Sequence, residues 1–414
     1  MSADATSTGA DQASGPFSGI RVVELAQWVF VPVAGALLAD WGAEVLHIEP
    51  PTGDPYRGLA TQGIGSDSGG VNLSMALANR GKRSVALDVR TDDGLGALHR
   101  LLDTADIFLT SLRPKALRKL GLDADTLVDR YPRLIFARGH GYGVRGPDAD
   151  QAGYDSSAFW ARGGMGHILT PKDREDPINQ RGAMGDRNAA MALAFGMSAA
   201  LLQRERTGKG SVVDVSLLAT AMWTLSSDLL TALQGQTPPR PEGKGASPNP
   251  LVGSYRTKDG RHVQLVFLEG DRYWPALCEA LQRPDLAADP RFCDLKNRYE
   301  HRVECATELE NEFGSRTLDE AKQLLSTIDA PWAPMQAVEE LLEDPQVIAN
   351  GYIGEVDAKG LEPYRLPAVP VQINEQPPTL SRAPELGEDT EAVLLELGYD
   401  WTQIAEFSAN GIIP

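Results

Sequence analysis

The chain has 414 residues, of which 42% are apolar and 23% charged, a composition typical of a globular protein long enough for two domains. Its formal net charge of −18 makes nucleic acid and anionic membranes poor partners. No apolar run is long enough for a membrane span, and residues 1–16, rich in Ser, Thr, Ala and Gly, predict a disordered tail without a secretion signal. We therefore expect a cytoplasmic protein.

The first 233 residues alternate strand and helix patterns. Buried-strand patterns lie at about residues 20–25, 44–48, 83–89, 107–111, 134–138 and 211–216. Helical patterns lie between them, at about residues 32–41, 94–104, 114–120, 124–129, 187–206 and 217–233. This alternation predicts an α/β fold with a doubly wound parallel sheet, on which ligands bind at the carboxyl ends of the strands.

Two further regions differ in character from this alternation. Residues 139–166 are rich in Gly, Pro and Asp without periodicity, which predicts a long functional loop. Residues 234–250 predict a Pro/Gly-rich linker, and residues 251–329 predict a small α+β domain that opens with a hairpin turning at Asp259-Gly260.

The usual cofactor and metal motifs are not supported. The stretch from Gly141 to Gly146 matches GxGxxG, but turn residues follow it instead of a helix, which argues against a dinucleotide site. Three cysteines without a CxxC pair, and six histidines without ligand spacing, give no metal-site pattern. His140 follows a strand in a Gly-rich turn, where it either lines a pocket or bonds local backbone.

Asp186 lies between Gly185 and a long Ala/Leu-rich helix, and two interpretations fit it. As an N-cap it would satisfy free N–H groups, a contribution of about 1 kcal/mol. As a nucleophile it would be kept ionised by the helix N-terminus, with the small residues Gly182, Ala183 and Gly185 admitting a bulky substrate. A carboxylate can attack a thioester to form an anhydride without metal or cofactor. The residues alone leave both interpretations open.

A set of short motifs, weak individually, becomes specific through order and spacing. They are Gly19–Leu25, Leu38–Val45, Arg80–Asp88, Arg113–Leu117 with Leu120-Gly121, Gly153-Tyr154-Asp155, Arg204–Gly210 and Arg382–Gly387. With them the sequence resembles the family III CoA-transferases, the group of formyl-CoA:oxalate and carnitine CoA-transferases, over roughly residues 19–397. The α-methylacyl-CoA racemases are the sister branch of that family.

The resemblance implies a CoA-transferase that moves CoA from an acyl-CoA donor to a carboxylic acid. Asp186 matches the family nucleophile, which forms an aspartyl anhydride and an aspartyl-CoA thioester. Coenzyme A is then a substrate, and no tightly bound cofactor is expected. Asp155 corresponds to an acidic position beside the active site, and the competing interpretation is a loop residue bonding its own backbone.

The CoA phosphates need cations, and Arg113, Lys115 and Lys119 follow a strand at the ligand-binding edge. The competing interpretation is a solvated basic helix face. The resemblance favours a CoA site built from Leu87, Ser111, Leu112, Arg113, Lys119 and Tyr154. This sequence departs from the family pattern twice: Pro50 stands where a basic residue is common, and Val29 where some members have a catalytic glutamine.

Tyr154 separates the two branches of the family. Racemases carry a histidine base at this position, whereas tyrosine, with a pKa near 10, is a poor base at neutral pH. The sequence therefore favours CoA transfer. A racemase or epimerase using His140 or Asp155 as second base is the alternative, and a non-catalytic CoA-binding protein is the second alternative.

The substrate pocket is expected at Trp28, Val29, Phe30 and His140. Bulky apolar groups there favour a hydrophobic acid over a small dicarboxylate such as oxalate. The resemblance also implies a large domain assembled from residues 17–233 and the returning residues 330–414, with the small domain inserted. Two such chains are expected to interlock as a homodimer.

Overall fold

The computed structural model describes residues 15–59, 67–68, 70–242, 247–358, 360 and 362–414. Most of the predicted N-terminal tail, residues 1–14, lies outside the described residues. The described residues form two compact units: the first contains those up to residue 167, with those in 178–238 and 346–414, and the second contains those in 168–177 and 239–345.

The strands are short and evenly spread along the chain. They are β1 (Arg21–Leu25), β2 (Glu44–Glu49), β3 (Asp67–Ser68), β4 (Val71–Asn72), β5 (Arg83–Ala86), β6 (Ile107–Thr110), β7 (Ile135–His140), β8 (Val212–Ser216), β9 (Val252–Arg256), β10 (His262–Val266), β11 (Trp332–Pro334), β12 (Ile353–Val356) and β13 (Tyr364–Pro367). Six of them, the six predicted from sequence, form one parallel sheet in the spatial order β5-β2-β1-β6-β7-β8.

The helices include the predicted ones and several that the sequence patterns did not indicate. They are α1 (Phe30–Ala39), α2 (Leu73–Asn79), α3 (Asp92–Leu102), α4 (Pro114–Leu120), α5 (Ala124–Arg130), α6 (Met165–Leu169), α7 (Met184–Thr207), α8 (Leu217–Thr224), α9 (Ser226–Leu233), α10 (Gly270–Ala280), α11 (Pro284–Ala288), α12 (Leu295–Glu300), α13 (Arg302–Gly314), α14 (Leu318–Leu325), α15 (Pro345–Ala349), α16 (Thr390–Glu396) and α17 (Trp401–Ala409). Short 3₁₀ helices lie at Pro55–Gly58 and Val338–Leu342.

The parallel sheet is covered on both faces, because successive strand residues point to opposite sides. In β1, Val22 belongs to a core cluster shared with α1 and α7, whereas Val23 belongs to a second cluster shared with α3, α5, α16 and α17. In the second cluster the rings of Phe108 and Phe136 pack at an angle of 58°, with their centroids 5.5 Å apart. Both side chains are fully buried. Each such side chain contributes about 1.5–3 kcal/mol by leaving water.

A group of buried charges lies under the carboxyl ends of β1 and β2. The Nζ of Lys82 donates to Glu24 Oε1 at 2.7 Å, and His47 Nδ1 lies 2.7 Å from the same oxygen. All three side chains are fully buried, and burial lowers the pKa of Lys82. Removing one partner of such a group would leave an uncompensated buried charge, so the group fixes how these strands pack.

The segment between β7 and α7 is more ordered than the loop predicted for residues 139–166. Asp155–Arg162 form a π-helical turn, followed by α6. The predicted functional loop therefore contains helical structure that was not expected, because a π-helix does not follow the 3.6-residue period that indicates an α-helix. The predicted helix over residues 217–233 is two helices, which meet at Leu225.

The second unit is a small α+β structure with its own core. Its antiparallel sheet has the order β11-β10-β9, and the predicted hairpin turn contains Gly260 at φ +80°. Cys278 and Cys305 are fully buried there, and burial raises the pKa of each thiol to about 12. In the described part of the chain, none of the helices has the length and apolar character needed to cross a bilayer.

Candidate active site

The strand order reverses between β1 and β6, which is where open parallel sheets bind ligands. The loops that follow these two strands are tied together by the Gln27 N–H, which donates to Ser111 Oγ at 3.0 Å. A cavity of about 330 Å³ opens at this point. Most of the predicted site residues line it, namely Trp28, Val29, Phe30, Ser111, Leu112, Arg113, His140, Tyr154 and Asp186.

Gly139 decides how closely the floor of the cavity can pack. A Cβ at this position would lie 2.5 Å from Val31 and 2.7 Å from the Phe30 ring. Because such approaches are forbidden, only glycine lets the first turn of α1 lie against the end of β7. This contact brings Val29 and Phe30 into the site.

Asp186 is the third residue of α7 and not its cap. The helix begins at Met184, and the cap residue Ala183 has a left-handed backbone at φ +57° and no capping side chain. The N-cap interpretation of Asp186 was therefore wrong. Its side chain is free to face the cavity because another residue serves the helix end.

That residue is Asp155, which reaches α7 from the π-helical turn. Its carboxylate accepts the Gly185 N–H at 3.1 and 3.3 Å. The interpretation of Asp155 as a loop residue bonding its own backbone was wrong, since its partner lies 30 residues away. Asp155 thus does the capping that local sequence assigned to Asp186, and it does not line the cavity itself.

Gly185 makes this contact possible. A Cβ on Gly185 would lie 2.2 Å from the Phe159 ring and 2.3 Å from Asp155 Oδ1. The glycine therefore admits a neighbouring protein segment, where the sequence suggested that it admits substrate.

The electrostatics of Asp186 differ from the expected ones. Burial raises the pKa of Asp186 to about 7; the charge of Asp155 adds to the rise, and Arg187 partly opposes it. Burial also raises the pKa of Asp155, and the nearby Gln180 and the N–H groups at the start of α7 oppose this rise. The helix N-terminus is expected to keep Asp186 ionised, and the loss of hydration works against that effect.

Both open interpretations of His140 are met. The ring lines the cavity, and its Nδ1 accepts the Gly143 N–H at 3.0 Å. The proton of the neutral ring therefore lies on Nε2, which is 3.7 Å from Asp214 Oδ1. In this tautomer Nδ1 already accepts a backbone N–H and Nε2 carries the proton, so the ring has no free lone pair for a second base.

The predicted cations divide into two groups. Arg113 lines the cavity and donates to the Asp150 carbonyl at 3.3 Å. Lys115 and Lys119 are exposed on α4 outside the cavity lining, next to Arg118, which pairs with Asp150 at 3.1 Å. Leu87 is buried in the core on the opposite face of the sheet, so only its backbone could contact coenzyme A.

Sequence reasoning missed Arg187, Gln180 and Asp54. The first two act on the paired carboxylates, and Asp54 bonds the backbone of Trp28. Arg187 was detectable as the residue after the proposed nucleophile, whereas nothing local connects Gln180 or Asp54 to the site. In the described residues, no group of three or more His, Cys, Asp or Glu side chains is placed to hold a metal ion.

Known proteins resemble this chain over nearly its whole length. A sequence profile of CoA-transferase family III matches residues 17–390. Cinnamoyl-CoA:phenyllactate CoA-transferase from Clostridium sporogenes is 37% identical, over 95% of this chain and 96% of that protein. (R)-2-hydroxy-4-methylpentanoate CoA-transferase from Clostridioides difficile is 34% identical, over 95% of this chain and 98% of that protein.

Structural similarity agrees with these matches. The crystal structure of a CAIB/BAIF family protein from Brucella suis superposes with a TM-score of 0.79 at 29% identity, covering 93% of this chain and 100% of that one. The resemblance inferred from the motifs is confirmed. The chain belongs to CoA-transferase family III.

Proposed function

We propose that this CoA-transferase moves CoA between two carboxylic acids through covalent intermediates on Asp186. One observation carries the choice of residue: among the described residues that line the cavity, Asp186 is the only carboxylate. The cavity lies where an open parallel sheet binds its ligand. A half-buried carboxylate with a raised pKa is also typical of a catalytic acid or nucleophile.

The proposed cycle needs no external oxidant, reductant or proton. The Asp186 carboxylate attacks the donor thioester carbonyl and the C–S bond breaks, giving an acyl-aspartyl anhydride and CoA thiolate. The thiolate attacks the aspartyl carbonyl, forms an aspartyl-CoA thioester and releases the donor acid. The acceptor carboxylate then displaces the thiolate to form a second anhydride. The thiolate finally attacks the acceptor acyl carbonyl and frees Asp186.

Hydroxylamine trapping tests the nucleophile. After incubation with acyl-CoA, hydroxylamine should convert the Asp186 thioester to a hydroxamate, detected by mass spectrometry of the peptide. Asp186→Asn should lower transfer by about a thousandfold or more, as expected for loss of a covalent nucleophile. Asp123→Asn is the matched control, because Asp123 caps α5 outside the cavity. A fully active Asp186→Asn variant would end the proposal.

The acceptor is proposed to be a hydrophobic carboxylic acid. Trp28, Phe30 and Tyr154 supply apolar surface on the cavity wall. The names of the two relatives above also contain hydrophobic acids, phenyllactate and 2-hydroxy-4-methylpentanoate. Transfer from acetyl-CoA should therefore be faster to such acids than to oxalate or succinate, and equal rates would contradict this assignment.

Arg113 and the exposed Lys119 are proposed to meet the CoA phosphates, with Ser111 and Leu112 beside them. Arg113 lies on the cavity wall as the N-cap residue of α4, and Lys119 lies in the last turn of that helix. Their substitution by glutamine should raise KM for acyl-CoA and leave KM for the free acid unchanged.

A racemase is less well supported. Tyr154 is 59% exposed at the cavity, and the ring nitrogens of His140 both face protein groups. Incubation of a chiral 2-methylacyl-CoA in D₂O should therefore give no deuterium at the α-carbon.

The chain is also proposed to act as a homodimer. Large apolar side chains are exposed on α7, α8 and α9, including Phe195 at 76%, Trp223 at 81% and Leu233 at 81%. Large exposed apolar side chains on consecutive helices are typical of a surface that another chain covers.

A further inference from the structure

Asp54 is a buried carboxylate that joins two loops at the edge of the sheet. It lies in the loop after β2, is 2% exposed, and donates its own N–H to Glu49 Oε2 at 2.8 Å. Its Oδ1 accepts the Tyr56 N–H at 2.8 Å, and its Oδ2 accepts the Trp28 N–H at 3.2 Å. One side chain therefore connects the loop after β1 to the loop after β2.

The bond to Trp28 matters because Trp28 has an unfavourable backbone. Its φ of +73° lies in the left-handed region, which residues with a Cβ disfavour. On one side the Gln27 N–H is held by Ser111, and on the other the Trp28 N–H is held by Asp54. Without the Asp54 carboxylate, the Trp28 N–H would lose its hydrogen bond, and this bond helps to hold the unfavourable backbone conformation of Trp28.

The backbone of Trp28 sets the place of its ring. The ring meets Tyr154 edge-on, with centroids 5.7 Å apart, and meets Tyr56 with centroids 6.5 Å apart. Trp28 and Tyr154 both line the cavity that Asp186 also lines, whereas Tyr56 packs against Trp28 and is not one of the lining residues. The Trp28–Tyr154 pair is thus an aromatic wall of this cavity.

The Asp54 carboxylate suits these two N–H groups better than the side-chain amide of an asparagine would. Two different N–H groups point at its two oxygens, and Oδ2 also lies 3.8 Å from His47 Nε2. An asparagine of the same shape would turn its NH₂ toward one of these groups. A donor would then face a donor in a buried site, which is the costly case.

We propose that Asp54 is a positioning residue for acid specificity: it holds Trp28 so that the Trp28–Tyr154 wall contacts the hydrophobic group of the acid. This inference rests on the proposed function, since it assumes a hydrophobic acid at Asp186. It predicts that substitution of Asp54 weakens binding only of acids that are long enough to contact the Trp28–Tyr154 wall.

The test compares a hydrophobic acid, 4-methylpentanoate, with acetate, using succinyl-CoA as the fixed donor. Asp54→Asn should raise KM for 4-methylpentanoate about tenfold, the scale of a lost buried hydrogen bond, and change KM for acetate less than about twofold. KM for succinyl-CoA should stay the same. Asp40→Asn is the matched control, because Asp40 is a buried carboxylate paired with Arg80 at the far end of α1.

A double-mutant cycle separates positioning from general stability. Trp28→Gly removes the aromatic ring, and glycine adopts a positive φ without strain. In this variant the bond from residue 28 to Asp54 therefore no longer positions a side chain in the cavity. In that background Asp54→Asn should change acid preference less than about twofold. Additive effects of the two substitutions would overturn the inference.

Tyr154→Ala gives an independent check that leaves Asp54 intact, since the Tyr154 ring is mostly exposed. It should weaken the preference for 4-methylpentanoate, and an unchanged preference would overturn the inference. If the wild-type enzyme prefers 4-methylpentanoate and Asp54→Asn keeps that preference, only the role of Asp54 fails. If the wild-type enzyme shows no preference, the proposed acid class and this inference fail together, while trapping at Asp186 still tests the nucleophile.

Discussion

Two carboxylates, Asp155 and Asp186, lie at the N-terminal end of α7 with different tasks. Asp155 anchors the helix end through the Gly185 N–H, and its charge helps raise the pKa of Asp186 to about 7. A carboxylate with a pKa near the working pH is more basic than an ordinary aspartate and still substantially ionised. Asp155 therefore helps to make the Asp186 carboxylate more basic than that of a solvent-exposed aspartate.

The pH profile should report this coupling. In the proposed cycle only ionised Asp186 attacks, so kcat/KM for acyl-CoA should fall as the pH drops below about 7. Asp155→Asn removes the negative charge that raises the pKa of Asp186, so the acid limb should move to lower pH. Arg187→Gln removes an opposing charge, so the limb should move to higher pH.

Asp148→Asn is the control for this profile, because Asp148 pairs with Arg162 outside the cavity lining. Its profile should overlay that of the wild-type enzyme. Movement of the limb in the same direction for Asp155→Asn and Arg187→Gln would contradict the electrostatic explanation.

At the scale of elements, the site depends on where α7 begins. The π-helical turn at Asp155–Arg162 packs against the first turn of α7, and Gly185 provides the space. The segment looks like loop in sequence, yet it places Asp155 on the helix end. A short element of unusual geometry is often retained at a functional site for such a reason.

Gly185→Ala should push the π-helical turn at Asp155–Arg162 away from the first turn of α7. Its Cβ would overlap Phe159 and Asp155, and overpacking of this kind destabilises by about 1–3 kcal/mol. We expect the melting temperature to fall by several degrees and kcat to fall by about tenfold or more, because Asp155 loses its contact. Gly182→Ala is the matched control, since nothing lies within 4 Å of its added Cβ. Equal behaviour of the two variants would argue against this packing.

At the scale of the whole molecule, the exposed apolar surface on α7 to α9 adjoins β8, an edge strand of the sheet. An edge strand presents unpaired backbone groups and is usually covered. A second copy of the chain would cover both features, and the family resemblance implies an interlocked pair.

Light scattering should therefore give twice the mass of one chain. Trp223→Arg should weaken the dimer at least about tenfold, because large exposed aromatics often dominate an interface. Trp401→Arg on α17, where the tryptophan is 60% exposed, is the control and should leave the dimer intact. A monomeric wild-type protein at micromolar concentration would rule the proposal out.

The sequence by itself determined the six parallel strands, the main helices between them, the hairpin of the second unit and the family. These features are local, because strand runs, helix periodicity and Asp-Gly turns each depend on residues near one another. The sequence also indicated Trp28, Arg113, Tyr154 and Asp186 as site residues, and all four line one cavity in the structure.

Tertiary structure alone decided which carboxylate caps α7, why Gly185 is needed and what holds Trp28. Asp155 acts on a helix 30 residues away, and Asp54 bonds a residue 26 positions earlier. Burial also raised the pKa of Asp186 to about 7, since the pKa depends on neighbouring charges and on lost water contact from every direction. A linear pattern contains neither distances between remote segments nor the depth of a side chain, and these two quantities set the chemistry of the site.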